Sequence, residues 1–160
     1  MSRGTRHINR HELEPDAKYG SVTVTKLINY VMQNGKKTVA TKIVYTALEE
    51  AAAKLETDAL TVLETALKNV TPVVEVRGRR VGGANLQVPI EVPRPRRLML
   101  ALRWMLTSAR GAKGKPMAQK LSAELIAAYN NEGAAVRKKD ETHRMAEANR
   151  AFAHFARNSR

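Results

Sequence analysis

The side chains best equipped for chemistry in this sequence are cationic. From Val92 to Ala123 the chain carries eight basic residues, Arg94, Arg96, Arg97, Arg103, Arg110, Lys113, Lys115 and Lys120, and no acid. A guanidinium offers a planar fork of donors that meets a phosphate in bidentate fashion, whereas an ammonium is a point charge on a flexible stem. An ordinary solvated surface intersperses its signs, so an acid-free span of this length points to a polyanionic partner. The whole chain has 28 Lys and Arg against 15 Asp and Glu, a formal net charge of +13. That excess is polarised, because Tyr45 to Pro72 holds Glu49, Glu50, Glu56, Asp58 and Glu64 against only Lys54 and Lys68. A second basic cluster, "VRKK", lies at Val136 to Lys139.

Other chemistries fit poorly. Cysteine is absent, which excludes disulfides and thiolate metal sites and is compatible with a reducing compartment. His7 and His11 share helical i, i+4 spacing, but they lie in a polar arm without a third obvious ligand, so no metal is expected. "NGKKT" at Asn34 to Thr38 fails as a phosphate-binding loop: Tyr30 stands where the first glycine belongs and Lys37 where Ser or Thr belongs. It reads instead as a helix–turn–helix connection whose lysines can meet phosphate. His143 and His154 read as interfacial or core residues. No nucleophile elbow, paired-carboxylate pocket or dinucleotide signature is present, so neither an enzyme nor a cofactor is expected. No apolar run reaches the roughly 20 residues of a membrane span, and the opening "MSRGTRHINRHELEP" lacks the apolar core of a signal peptide. The expected protein is cytoplasmic and has no membrane partner.

The elements that must hold these cations are mostly helical. Ser21 is a candidate N-cap for a first helix with Val24, Leu27, Ile28 and Val31 on one stripe, stopped at Asn34-Gly35. A second helix buries Ala40, Ile43, Val44, Ala47, Leu48 and Ala51. Thr57-Asp58 caps a third with Leu60, Leu63 and Leu67, and Pro72 ends it. A fourth starts near Pro95, turning Leu98, Ala101, Leu102, Met105 and Leu106 inward. A fifth follows Pro116 with Met117, Leu121, Leu125 and Ala128, and a last one occupies much of Ala134 to Ala156. No internal repeat appears. The expected fold is mainly α, a single-domain bundle of about six helices over residues 1–160, with a polar arm over 1–20 and a C-terminal helix and tail over 133–160.

One segment breaks the helical pattern. "VEVRGRRVGGANLQVPIEV", Val74 to Val92, is two alternating strands around a basic, glycine-rich tip, which predicts a protruding two-stranded hairpin over 73–92. A plain two-residue turn at Gly82-Gly83 sets Val74 against Glu91 and Arg77 against Val88, mixing apolar with polar on one face. Pairing Val76 with Val88 and Val74 with Ile90 requires an odd-numbered loop or a bulge, and that register is the one expected. An isolated ribbon is marginal in water, so its base must pack on the helices. Aromatic residues make up only 4% of the chain and the ribbon has none, which disfavours stacking on single-stranded bases and favours backbone and shape recognition. A basic ribbon on a helical body also fits an architectural DNA-binding protein with a β-arm, which stays open as the alternative.

The linear order of four motifs carries a resemblance. "NGKK" from Asn34, "RRVGGANLQVPIEV" from Arg79, "RRLMLALRW" from Arg96 and "HRMAEANRAFAHF" from His143 together resemble the bacterial-type small-subunit ribosomal protein seven family, over nearly the whole chain. The resemblance implies a structural constituent of the small ribosomal subunit that binds the 3′ major domain of small-subunit ribosomal RNA and nucleates head assembly. It also implies a position near the exit-site tRNA and the mRNA path, beside small-subunit protein eleven. By the same resemblance Lys36, Lys37, Arg94, Arg96, Arg97, Arg103 and Arg144 face ribosomal RNA. The resemblance also implies that the hairpin residues Arg77, Arg79, Arg80, Gly82 and Gly83 lie next to tRNA and mRNA.

Overall fold

Apolar residues recurring every three to four positions give six α-helices, and the one stretch with a period of two gives the only strand pair among the described residues. The computed structural model describes residues 12–81 and 83–156. In chain order the elements are α1 (Val22–Val31), α2 (Lys37–Leu55), α3 (Ala59–Val70), β1 (Val74–Val81), β2 (Ala84–Glu91), α4 (Arg94–Gly111), α5 (Met117–Tyr129), α6 (Gly133–Ala148) and a terminal 3-10 helix, Arg150–Ala156. The architecture is therefore mainly α with one antiparallel hairpin, as the periodicity predicts.

The helices share one hydrophobic core. Leu27, Leu48, Leu63, Leu102, Met105, Leu121 and Leu125 are fully buried within it. Helix α5 packs on α2, α3, α4 and α6, so Leu121 and Leu125 have neighbours on several sides. Local signals set the helix ends. The Asp58 carboxylate accepts hydrogen bonds from the backbone N–H groups of Leu60 and Thr61 and caps α3. Asn34 and Gly35, at φ 53° and 72°, occupy the left-handed region that lets the chain reverse between α1 and α2.

Three expectations need correction. Ser21 occupies the N-cap position of α1 but makes no side-chain capping bond. Its own backbone N–H donates to Asp16, whose carboxylate also accepts from the N–H groups of Lys18 and Tyr19 and from the Tyr45 hydroxyl on α2. Residues 12–20 are thus tied to the body by Asp16, and only the part of the polar arm over 1–11, with His7 and His11, lies outside the described residues. The last helix also stops earlier than its apolar pattern suggests. Asn149 turns its side-chain amide back onto the Met145 carbonyl, a local bond that competes with helix continuation, and the chain tightens into the 3-10 helix.

The third correction concerns the hairpin register. Val74 pairs with Glu91, Glu75 with Ile90, Val76 with Pro89 and Arg77 with Val88, ending at Val81 opposite Ala84. This is the plain two-residue connection and not the odd-numbered loop. Gly83 takes φ 90°, and Gly82 lies outside the described residues. The expectation assumed that the inward face must be all apolar. The face that buries Val88 also buries Glu75, which is only 7% exposed, and two arginines make that burial tolerable.

Candidate nucleic-acid interface

Helix α4 organises the cations. Its inward stripe buries Ala101, Leu102, Met105, Leu106 and Ala109. Seven residues make almost two turns of an α-helix, so Arg96, Arg103 and Arg110 at i, i+7 and i+14 form one line along the side opposite that stripe. Arg103 is exposed and, among the described residues, makes no hydrogen bond or ion pair. Arg94, in the first position of the helix, is also exposed and has no hydrogen-bond or ionic partner among the described residues.

Each end of the line meets another basic element. At the C-terminal end Arg110 donates to the carbonyls of Tyr30 and Val31 at the end of α1, at 3.2 and 3.5 Å, where carbonyls lack helical partners. Arg110 and Lys36 line one groove of about 340 Å³ with Val39, Ile43 and Met117. Lys36 and Lys37 are exposed at the α1–α2 turn, and their ammonium groups have no ionic partner among the described residues. At the N-terminal end Arg96 meets the hairpin root, where its Nε lies 2.9 Å from both Glu75 carboxylate oxygens and one terminal nitrogen lies 2.8 Å from Oε2. Arg77 approaches the same carboxylate through its Nε at 2.8 Å and a terminal nitrogen at 2.7 Å. Burial alone would push the Glu75 carboxyl up. The hydrogen bonds and charges of Arg96 and Arg77 outweigh it and hold the group below the usual glutamate value.

The other predicted residues divide into anchored and unanchored. Arg97 donates from Nε to the Val92 carbonyl at 2.7 Å and pairs with Glu91 at 3.1 Å, so it fixes the strand-to-helix corner. Arg79 donates to the Phe155 carbonyl at 2.9 Å, linking the ribbon to the terminal 3-10 helix. Arg80 and Gly83 are exposed near the tip, and Arg144 is exposed on α6. Arg80 and Arg144 make no hydrogen bond or ion pair among the described residues. The predicted set is therefore not brought to one spot: it extends from the α1–α2 turn along α4 to the hairpin, with Arg144 on α6.

Helix α6 contributes Lys139, which the sequence read only as part of a basic cluster, and His143, which it read as interfacial or core. Lys139 donates to the Asn69 carbonyl at 2.8 Å, and the Val73 N–H donates to Nε2 of His143 at 3.2 Å. An accepting ring nitrogen must be unprotonated. Burial, followed by the nearby Lys139 charge, pushes the His143 pKa down, and Asp140 opposes the shift. Glu75 was the clearest omission. Its only sequence signal is an acid on an otherwise basic and apolar strand, and its partner Arg96 lies 21 residues further on.

Among the described residues no group of three or more His, Cys, Asp or Glu could hold a metal ion. No helix of the described residues is long and apolar enough to cross a membrane. A helical body with a line of arginines and a basic ribbon belongs to the class of proteins that engage polyanions through charge and shape. Comparison with known proteins makes the class specific. The family model described as Ribosomal protein S7p/S5e matches residues 3–150, and the chain belongs to that family, which comprises structural ribosomal proteins and not enzymes. It is 57% identical over 150 residues to small ribosomal subunit protein uS7 of Thermotoga neapolitana, covering 94% of this chain and 97% of the relative. The uS7 protein of Chloroflexus aurantiacus is 54% identical over 151 residues, covering 94% and 96%. That of Dictyoglomus turgidum is 57% identical over 148 residues, covering 92% and 95%.

Proposed function

We propose that the chain is a structural constituent of the small ribosomal subunit in the cytoplasm, that residues 1–160 act as one RNA-binding domain, and that it binds the 3′ major domain of small-subunit ribosomal RNA and nucleates assembly of the head. The observation that carries the RNA-binding part is the line Arg96, Arg103, Arg110, which joins the hairpin root to the lysines of the α1–α2 turn. Cations spaced along almost four turns of a rigid helix suit successive phosphates of a folded RNA better than a single small anion. Arg94, Arg103, Arg144, Lys36 and Lys37 serve as direct phosphate contacts, and Arg96 and Arg97 contact RNA with the donors that their protein partners leave unused. The hairpin tip, with Arg80 and the glycines at 82 and 83, reaches toward exit-site tRNA and the mRNA path, with Arg77 and Arg79 at its stem. Small-subunit protein eleven is a neighbour.

Family membership supports this reading over an architectural DNA-binding protein. The deciding experiment compares the affinity of the purified chain for a folded 3′ major-domain RNA fragment with that for duplex DNA of equal length at physiological salt, alongside cosedimentation with small subunits. Clear preference for the RNA fragment and recovery with the subunit are expected. Equal or stronger binding to duplex DNA overturns the proposal.

A further inference from the structure

Glu75 is an acid buried at the root of a ribbon in a chain with a net charge of +13. Its side chain is 9% exposed, while those of Arg77 and Arg96 on the same carboxylate are 51% and 37% exposed. The carboxylate thus sits beneath two guanidiniums that still face water. Without it, two like charges brought this close would repel and each side chain would explore many rotamers. With it, each guanidinium is gripped through its Nε and one terminal nitrogen, and its other terminal nitrogen has no hydrogen-bond partner among the described residues.

We propose that Glu75 is a positioning residue for RNA binding, holding Arg77 of β1 and Arg96 of α4 side by side as a preorganised cradle for the phosphate backbone. The inference rests on the RNA-binding reading above and deepens it. A planar guanidinium fixed by a carboxylate on one edge presents its other donors in a set direction, so the ordering entropy is already spent before RNA arrives. The same carboxylate joins the ribbon to the line of cations on α4, which sets the angle at which the hairpin leaves the body.

The sign of one substitution separates positioning from simple charge. Glu75→Gln keeps the side-chain shape and raises the net charge of the full chain by one. If Glu75 is only an acid beside an RNA surface, its loss should tighten binding to the 3′ major-domain fragment. If it positions the two arginines, binding should weaken about tenfold despite the added charge, a loss on the scale of one charge-assisted hydrogen-bonded pair. In an Arg77→Ala, Arg96→Ala background the same substitution should cost no more than about twofold, because nothing remains to position. Should Glu75→Gln fail to fold, as a thermal melt would reveal, Arg96→Lys decides. It preserves the charge but cannot be gripped as a fork, and the expected loss is again about tenfold. Unchanged or tighter binding by Glu75→Gln, or wild-type affinity in Arg96→Lys, overturns the proposal while leaving RNA binding intact. Absence of salt-dependent RNA binding by the unsubstituted chain instead overturns the RNA reading and this inference with it.

Discussion

The root and the tip of the hairpin both carry arginines and hold them in opposite ways. At the root Val88 and Val92 are fully buried, Glu75 nearly so, and three arginines are held, Arg96 and Arg77 by Glu75 and Arg97 by the Val92 carbonyl and Glu91, with Arg94 exposed beside them. At the tip Arg80, Gly83, Ala84 and Asn85 are exposed, and Arg80 has no hydrogen-bonding or ionic partner among the described residues. Arg79 marks the boundary, since its bond to the Phe155 carbonyl is the last tie to the body. The contrast teaches that arginine count does not identify an RNA-facing surface. What an arginine does here depends on whether an acid or a carbonyl lies within reach, and that is fixed by burial.

The comparison breaks most readily at the root. Val88→Ala removes two methyl groups from a fully buried position and should lower the unfolding free energy by about 1.5–3 kcal/mol, measured by urea denaturation. A loss no larger than that of an exposed substitution would mean that the root does not pack as described.

Acid provides a gentler probe of the same region. The His143 pKa is depressed in the folded chain below the ordinary value of 6.5, so the unfolded chain binds the proton more readily. Its contribution to stability is fully present above 6.5 and is lost as pH falls through the lower folded value. Protonation also sets an N–H against the Val73 N–H. Melting temperature should therefore decline as pH is lowered from 6.5, and His143→Ala should flatten that part of the profile. An unaltered profile in the variant would detach His143 from the root.

The smallest stability effect is expected at the tip. Replacing residues 80–85 with an Asn-Gly turn joins Arg79 directly to its pairing partner Leu86 and keeps the Arg79 tie. Stability should change by less than about 0.5 kcal/mol, and affinity for the isolated RNA domain should persist while tRNA retention in reconstituted subunits falls. A large stability loss would erase the distinction between root and tip.

Much of this contrast is foreshadowed in the sequence, and the exceptions have physical causes. The inward stripe of α4, from Leu98 to Leu106, and with it the outward placement of Arg96, Arg103 and Arg110, follow from a period of 3.6. The Asp58 cap is a local signal and is readable as such. The hairpin register is not, because alternation assigns Glu75 to solvent, and Arg96, brought in by the fold, joins Arg77 in supplying the charge that lets Glu75 turn inward. The end of α6 escaped for the opposite reason: the decision is a single side-chain bond from Asn149 to the Met145 carbonyl, too local to disturb the apolar pattern. The division of the arginines into anchored and unanchored depends on distant carbonyls such as those of Tyr30 and Phe155, which no spacing rule connects to them.

The central claim is that the unanchored cations along and beside α4 meet RNA phosphates, and the salt dependence of affinity tests it most directly. Binding of the full chain to the 3′ major-domain fragment would be titrated between about 50 and 200 mM monovalent salt. Release of counterions from ~6–10 phosphates predicts a loss of ~10³–10⁵-fold in affinity across that range, using the duplex-DNA scale. Arg103→Ala should reduce the logarithmic salt slope by about one without altering the melting temperature. A nearly flat titration, or an Arg103→Ala slope identical to that of the unsubstituted chain, would contradict the account.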